Sequence, residues 1–265
     1  MRTILALAIL ISSPTLSTLM ASDPTRPLEN LDPAHPRLLM SGAEWEELRG
    51  RTDAGDPTLD VLWSHVRAVA DDCLVREPVV RKLQGRRLLG VSRLALKRIA
   101  TLAMAYRLTD EPRYLDRAVA EMDAVAAFSD WNPSHFLDVA EMAAGVGIGY
   151  DWLHASLSAE QRTRYRDALL EKALTIGFRT EEHHNRWIDG TNNWNQVCNG
   201  GLTMAALAIA GEGGGDIPER IVRQAIANIG HAMQEYEPEG AYPEGPGYWN
   251  YGTTYNALFL SVLQS

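Results

Sequence analysis

What most constrains this chain is a rhythm that begins at Ser92. Apolar residues recur there at helical spacing in successive pairs of segments, and no stretch alternates polar and apolar residues as a half-buried strand does. Leu94, Leu96, Ile99, Leu102, Ala103 and Tyr106 mark one helix, and Tyr114, Ala118, Val119, Met122 and Val125 mark the next. Thr109-Asp110-Glu111-Pro112 joins them as a tight turn, with Pro112 suited to a first helical turn. A second pair is expected over residues 135–153 and 158–176, and a third over 192–210 and 217–236. Ser158 with Gln161 has the spacing of a capping box, and so has Ser41 with Glu44 ahead of a short helix to Leu48. Residues 56–74 also carry a helical repeat. The pattern predicts an all-α fold of helical hairpins laid side by side.

Length and charge narrow the reading. At 265 residues the chain can bury a sizeable core. Arg2 ahead of the apolar run Ile4 to Ile11, and Ala21 ahead of Ser22 and Asp23, have the layout of a secretory signal peptide. A membrane anchor fits less well, because the run is short and Ser12, Ser13 and Pro14 interrupt it. The expected organisation is a signal peptide over 1–21, a proline-rich extended lead-in over 22–40 and a helical domain over 41–265. The expected location is periplasmic or secreted, with no membrane partner. A net charge of -9 argues against nucleic acid as a partner. One window departs from it: Arg76, Arg81, Lys82, Arg86, Arg87, Arg93, Lys97 and Arg98 crowd around a single acid, Glu77. Such a run is either a solvated face or an anion-binding rim. Whether Cys73 and Cys198 pair is left open, although Cys198 on an apolar helix reads as a small core residue.

The densest chemistry is Thr191 to Gly201, TNNWNQVCNGG, with four asparagines, a glutamine and a tryptophan opening an otherwise apolar helix. Buried amides cost free energy unless something hydrogen-bonds them. Asn192, Asn195, Gln196 and Asn199 fall at i, i+3, i+4 and i+7 and form one stripe. Amides in a first turn, added to free backbone N–H groups, make a seat for a carboxylate. Packed amides between helices are the plainer reading. A second candidate is GAYPEGPGYWNYG, residues 240–252, expected as a constrained aromatic loop able to stack on sugar rings. His135, with Asp138 and Glu141 on one helix face, could handle a proton steadied by a carboxylate. His183-His184 matches no common metal-ligand spacing.

These stretches resemble a known group. HPRLLMS at 35–41, RRLLGVSRLALKRI at 86–99, DWNPSHFLDVAEM at 130–142, NNWNQVCNGG at 192–201 and YPEGPGYWNYGTTYN at 242–256 are similar to the heparinase II/III-like polysaccharide lyases. The resemblance spans nearly all of the chain after the expected signal. It implies an incomplete (α/α) toroid, truncated at the C-terminus, holding an acidic polysaccharide such as a glycosaminoglycan or alginate in its cleft. It places the carboxylate-binding residue at Asn193 and the catalytic tyrosine at Tyr248. Asn192, Gln196, Arg87, Trp194, Trp249, Tyr251 and Glu244 are the expected substrate-lining residues. Family members draw a further histidine, and often a metal, from a later part, so no cofactor is expected in this chain. The apolar helix begun at 253–265 has no terminal signal and reads as one whose partner is missing.

A lyase of this kind removes the C5 proton of a uronate and protonates the departing O4. Asn193 would disperse the carboxylate charge, and Tyr248 would act as base, acid or both. A free phenol has a pKa of about 10, so basic neighbours such as Arg86 or Arg87 would have to lower it. His135 is the alternative base. Two other readings stay open: a glycoside hydrolase using carboxylates among Asp138, Glu141, Glu239 and Glu244, and a non-catalytic sugar-binding protein or inactive remnant.

Overall fold

In the computed structural model, residues 26–183 and 185–265 are described. The expected signal peptide over 1–21 and His184 lie outside them. Among the described residues the chain is all-helical, and the one β-feature is an isolated bridge between Gln84 and Arg87. No helix among them is long and apolar enough to cross a membrane.

The helices are α1 (Gly42–Asp53), α2 (Pro57–Leu74), α3 (Leu89–Thr109), α4 (Pro112–Ala126), α5 (Leu137–Leu153), α6 (Ala159–Leu169), α7 (Asn193–Ile209), α8 (Ile217–Asn228), the single turn α9 (Gly230–Met233) and α10 (Pro246–Gln264). Their starts follow local chemistry. Ser41 with Glu44, and Ser158 with Gln161, close both halves of a capping box. The Asp56 side chain accepts from the N–H groups of Thr58 and Leu59. Asp110, at φ 54°, ends α3 in the left-handed region, and Pro112 opens α4.

Two expected spans are broken. After Leu169 the chain winds more loosely over Leu170–Leu174, where the Thr175 hydroxyl donates to the carbonyl of Leu170, five residues back, at 2.9 Å. The span expected over 217–236 is divided at Ile229 into α8, α9 and a 3₁₀ turn at Gln234–Tyr236.

The layout that positions the site comes from small residues. On α5, a Cβ at Gly145 would lie 2.8 Å from the backbone of Leu96, and one at Gly149 would lie 2.5 Å from Ile99, so α3 and α5 touch closely and run in the same direction. Gly201 meets Ala140, and Gly147 meets Ala205, which makes α5 and α7 parallel as well. Gly200 against Tyr255, and Gly252 against Gln196, add α10 in the same sense. Four helices therefore stand side by side with their N-termini at one end. α4 pairs with α3, and α8 with α7. Cys73 and Cys198 are both buried, and both thiols are free.

The lead-in is not a loose tail. Leu38 and Met40 are almost completely buried, the N–H groups of Arg37 and Leu38 donate to Asp151, and Trp152 Nε1 donates to the carbonyl of Leu38. The last helix also departs from expectation. It begins at Pro246, so Tyr248, Trp249 and Tyr251 are helical rather than part of a loop.

At Gly201 an added Cβ would stand 2.4 Å from the carbonyl oxygen of Ala140, a backbone atom with no rotamer to yield. Gly201→Ala is expected to cost about 1–3 kcal/mol by urea denaturation, whereas Gly42→Ala, which meets nothing within 4 Å, should be near neutral.

Candidate functional site

The shared N-terminal end of α3, α5, α7 and α10 gathers the polar residues. Asn192 is the N-cap of α7, its side chain accepting from the N–H of Trp194 at 3.1 Å; it is exposed and does not belong to the buried stripe. The buried amides are Asn193, Asn195, Gln196 and Asn199. Asn195 donates to the carbonyls of Ile188 and Asn228, and Asn199 donates to Ile188, so both tie α7 to neighbouring backbone. Gln196 donates to Tyr236 Oη at 2.9 Å, and that hydroxyl also meets Thr253 Oγ1. For these three residues the packed-amide reading holds.

Asn193 is different. Its backbone N–H donates to Glu244 Oε2 at 2.7 Å, and its Nδ2 reaches Oε1 at 3.0 Å and Oε2 at 2.8 Å. A carboxylate only accepts, which fixes the orientation of the amide and leaves Asn193 Oδ1 buried without a partner. Asn193, expected to bind a substrate carboxylate, thus holds that of Glu244, itself expected to line the substrate. Tyr242, 7% exposed, is stacked on Tyr236, and burial, followed by the charge of Glu244, pushes its phenol up.

His135 ends a 3₁₀ turn just ahead of α5, and its Nδ1 lies 2.6 Å from Asp138 Oδ1 on the first turn of that helix. Asp138 Oδ2 also accepts from the N–H of Leu88, which caps α3, and from Asn132 Nδ2. With Asp138 as an acceptor, His135 carries a hydrogen on Nδ1, which fixes the orientation of the ring. Its ring packs edge-on against Trp194 at 4.8 Å, so two residues expected at the site are in contact. Glu141 does not join this pair. It accepts from Arg93 Nε at 3.0 Å, Tyr251 Oη at 2.5 Å and Tyr255 Oη at 2.8 Å. The Arg93 guanidinium also lies over the Tyr251 ring, 4.6 Å from its centroid. Burial, with the charge of Glu141 behind it, pushes the Tyr251 phenol up, so Tyr251 is a fixed donor rather than a free stacking platform. A cavity of about 250 Å³ opens beside this group, with Lys97 at its edge.

Tyr248 and Trp249 stand exposed on the first turn of α10, at 51% and 41%, and Trp249 Nε1 is tied to the carbonyl of Gly240. No hydrogen bond among the described residues joins Arg86 or Arg87 to Tyr248. The two arginine side chains are exposed beside the Gln84–Arg87 bridge. Elsewhere in the basic window four arginines are paired: Arg76 with Asp72, Arg81 with Asp130, Arg93 with Glu141 and Arg98 with Glu121.

One cluster escaped the sequence reading. At the C-terminal ends of α5 and α7, His35 bridges Asp151 through Nδ1 and Glu212 through Nε2, each at 2.6 Å, and stacks on His154 at 3.9 Å. Glu212 also accepts from Tyr150 and meets His154 Nε2. The HPR sequence was the available signal, but its partners lie more than a hundred residues away. His35, His154 and Glu212 lie within metal-ligand reach of one another. Two ligands of one tetrahedral ion, each about 2.0–2.1 Å from it, stand roughly 3.3 Å apart. The 2.6 Å contact between His35 and Glu212 is that of a shared proton.

In sequence comparisons, neither a protein-family model nor a curated protein matches the chain.

Burial acts to raise the Glu212 carboxyl, but hydrogen bonds from Tyr150, His35 and His154 outweigh it and hold the group below its ordinary value of 4.5. A depressed carboxyl stabilises the fold above its unfolded pKa, and that contribution is lost as pH falls through the folded one. Glu212→Gln should therefore be less stable at pH 7 by roughly 1–3 kcal/mol, with the gap to wild type narrowing below about pH 4.5 in acid-unfolding curves.

Proposed function

We propose that this protein is an exported polysaccharide lyase built on an incomplete (α/α) toroid, cleaving a uronic-acid-containing polymer by β-elimination. The observation that carries the reading is the contact of Asn193 with a carboxylate through both its backbone N–H and its side-chain amide, at 2.7–3.0 Å. The resemblance of the 35–41, 86–99, 130–142, 192–201 and 242–256 stretches to heparinase II/III-like lyases supports the same conclusion.

The C5 hydrogen of a uronate is weakly acidic because the adjacent carboxylate is already negative. Donors that take up that charge make the carbanion-like intermediate accessible, each contributing on the order of 3 kcal/mol. In the proposed reaction Asn193 holds the carboxylate. His135, oriented by Asp138, takes the C5 proton on Nε2. The freed electron pair forms the C4–C5 double bond as the C4–O4 bond breaks, and the Tyr248 hydroxyl returns a proton to O4. The neighbouring Trp194 ring and the exposed Trp249 offer apolar faces to the sugar.

The hydrolase reading draws no comparable support. Of the four carboxylates it draws on, Asp138, Glu141 and Glu244 have their oxygens engaged in internal hydrogen bonds, and Glu239 is exposed.

Mixing the protein with heparan sulfate, chondroitin, hyaluronan or alginate and following the absorbance of an unsaturated uronate tests the proposal. At least one polymer should give the band. Asn193→Ala should slow turnover about 10²-fold, and Tyr248→Phe should reduce it at least as much. Absence of the band with all four, or full activity in Tyr248→Phe, defeats the assignment.

A further inference from the structure

We infer that Glu244 is a displaceable occupant of the carboxylate seat, filling it in the absence of ligand and leaving when a ligand carboxylate enters. The inference rests on the reading of Asn193 given above and adds a self-competing step to it.

Three observations carry it. First, the donors on Asn193 are the ones a ligand carboxylate would need, and they stand at the first turn of a 17-residue helix whose free N–H groups favour an anion. Second, Glu244 leaves the seat incompletely used. Asn193 Oδ1 is buried and without a partner, an acceptor that the Glu244 carboxylate cannot use and a hydroxyl carried beside a ligand carboxylate could. Third, the segment bearing Glu244 is lightly held. Residues 239–241, 243 and 244 are exposed, and the segment lies between Gly240 at φ 79° and Gly245 at φ 89°, left-handed positions suited to glycine. Its other ties are the Tyr242–Tyr236 stack, the bond from Trp249 Nε1 to the Gly240 carbonyl, and backbone bonds from the N–H groups of Gly240, Gly245 and Trp249 to the carbonyls of Tyr236, Tyr242 and Gly245. A fixed structural cap would be expected to sit on buried backbone, and this one does not.

Exchange of one carboxylate for another conserves charge and hydrogen bonds at Asn193. What Glu244 changes is the fraction of molecules with an open seat, and apparent affinity scales with that fraction. If about one molecule in ten is open, removing the side chain tightens ligand binding about tenfold.

The test is titration of wild type, Glu244→Ala and Glu244→Gln with sodium D-glucuronate, using D-glucose as the uncharged control. Glu244→Ala should bind glucuronate about tenfold more tightly than wild type and glucose no better. The unliganded variant should melt below wild type, and saturating glucuronate should recover most of the difference. Equal or weaker glucuronate binding in the variant, with no thermal recovery, overturns the inference. A second measurement needs no variant: in the wild-type protein, glucuronate should shift the side-chain amide resonances of Asn193 saturably, and unmoved resonances would likewise refute displacement. Binding and turnover separate the two claims. Tight binding by Glu244→Ala without an unsaturated product from any polymer sustains displacement and sinks the lyase. Turnover by wild type, with no gain in affinity in the variant, does the reverse.

Discussion

The contact on which the rest of the molecule depends is the glycine-mediated approach of α5 to α7. With Gly201 against the backbone of Ala140 and Gly147 against that of Ala205, the two helices lie too close to slide past one another. Gly145 and Gly149 lock α3 to α5 in the same way, and Gly200 and Gly252 lock α10 to α7. Close packing of small residues does more than fill space here. It fixes the axial register of four helices, and so determines which first turns stand level with each other. That register brings three separate stretches of the chain to one end, where His135, held by Asp138, packs on Trp194 and Glu244 ahead of α10 binds Asn193.

Within that end, chemically similar residues have divided tasks. Asn195 and Asn199 hold backbone carbonyls, Gln196 braces a tyrosine, and Asn193 reaches the carboxylate of Glu244 as Asn132 reaches that of Asp138. The acids divide likewise. Asp138 caps a helix while orienting a histidine, and Glu141 gathers two phenols and a guanidinium. A carboxylate satisfied this fully is a positioning element, which is why a count of acids near a cleft overstates how many are free to react.

Much of this was legible because it is local. Ser41 with Glu44, Asp56, Ser158 with Gln161, and Pro112 announce helix starts through bonds made within four residues, and these starts were read correctly. Periodicity gave the paired helices, and the absence of alternation gave the absence of strands among the described residues. Failures came where the deciding contact is distant or where two local signals compete. Pro246 is a good first-turn residue, yet the surrounding glycines and aromatics suggested a loop, so the start of α10 was placed too late. Asn192 was assigned to the stripe from its spacing, whereas its side chain bends back as a cap. The His35 clasp could not be read at all, since nothing in HPRLLMS points to Asp151 or Glu212. Nor does any spacing rule place Glu244 on Asn193, 51 residues away.

Parallel helices have an electrical consequence that antiparallel bundles lack. In α3, α5, α7 and α10 the first turns, with their orphan N–H groups, stand together at one end and the last carbonyls at the other. At the carbonyl end the chain supplies Arg37, which donates to the last carbonyls of α7. At the other it supplies Glu244 and Asp138, which accept from the buried N–H groups of Asn193 and Leu88. Each pole is therefore answered by side chains of the opposite sign, so that what the parallel arrangement concentrates at the helix ends the chain neutralises from within.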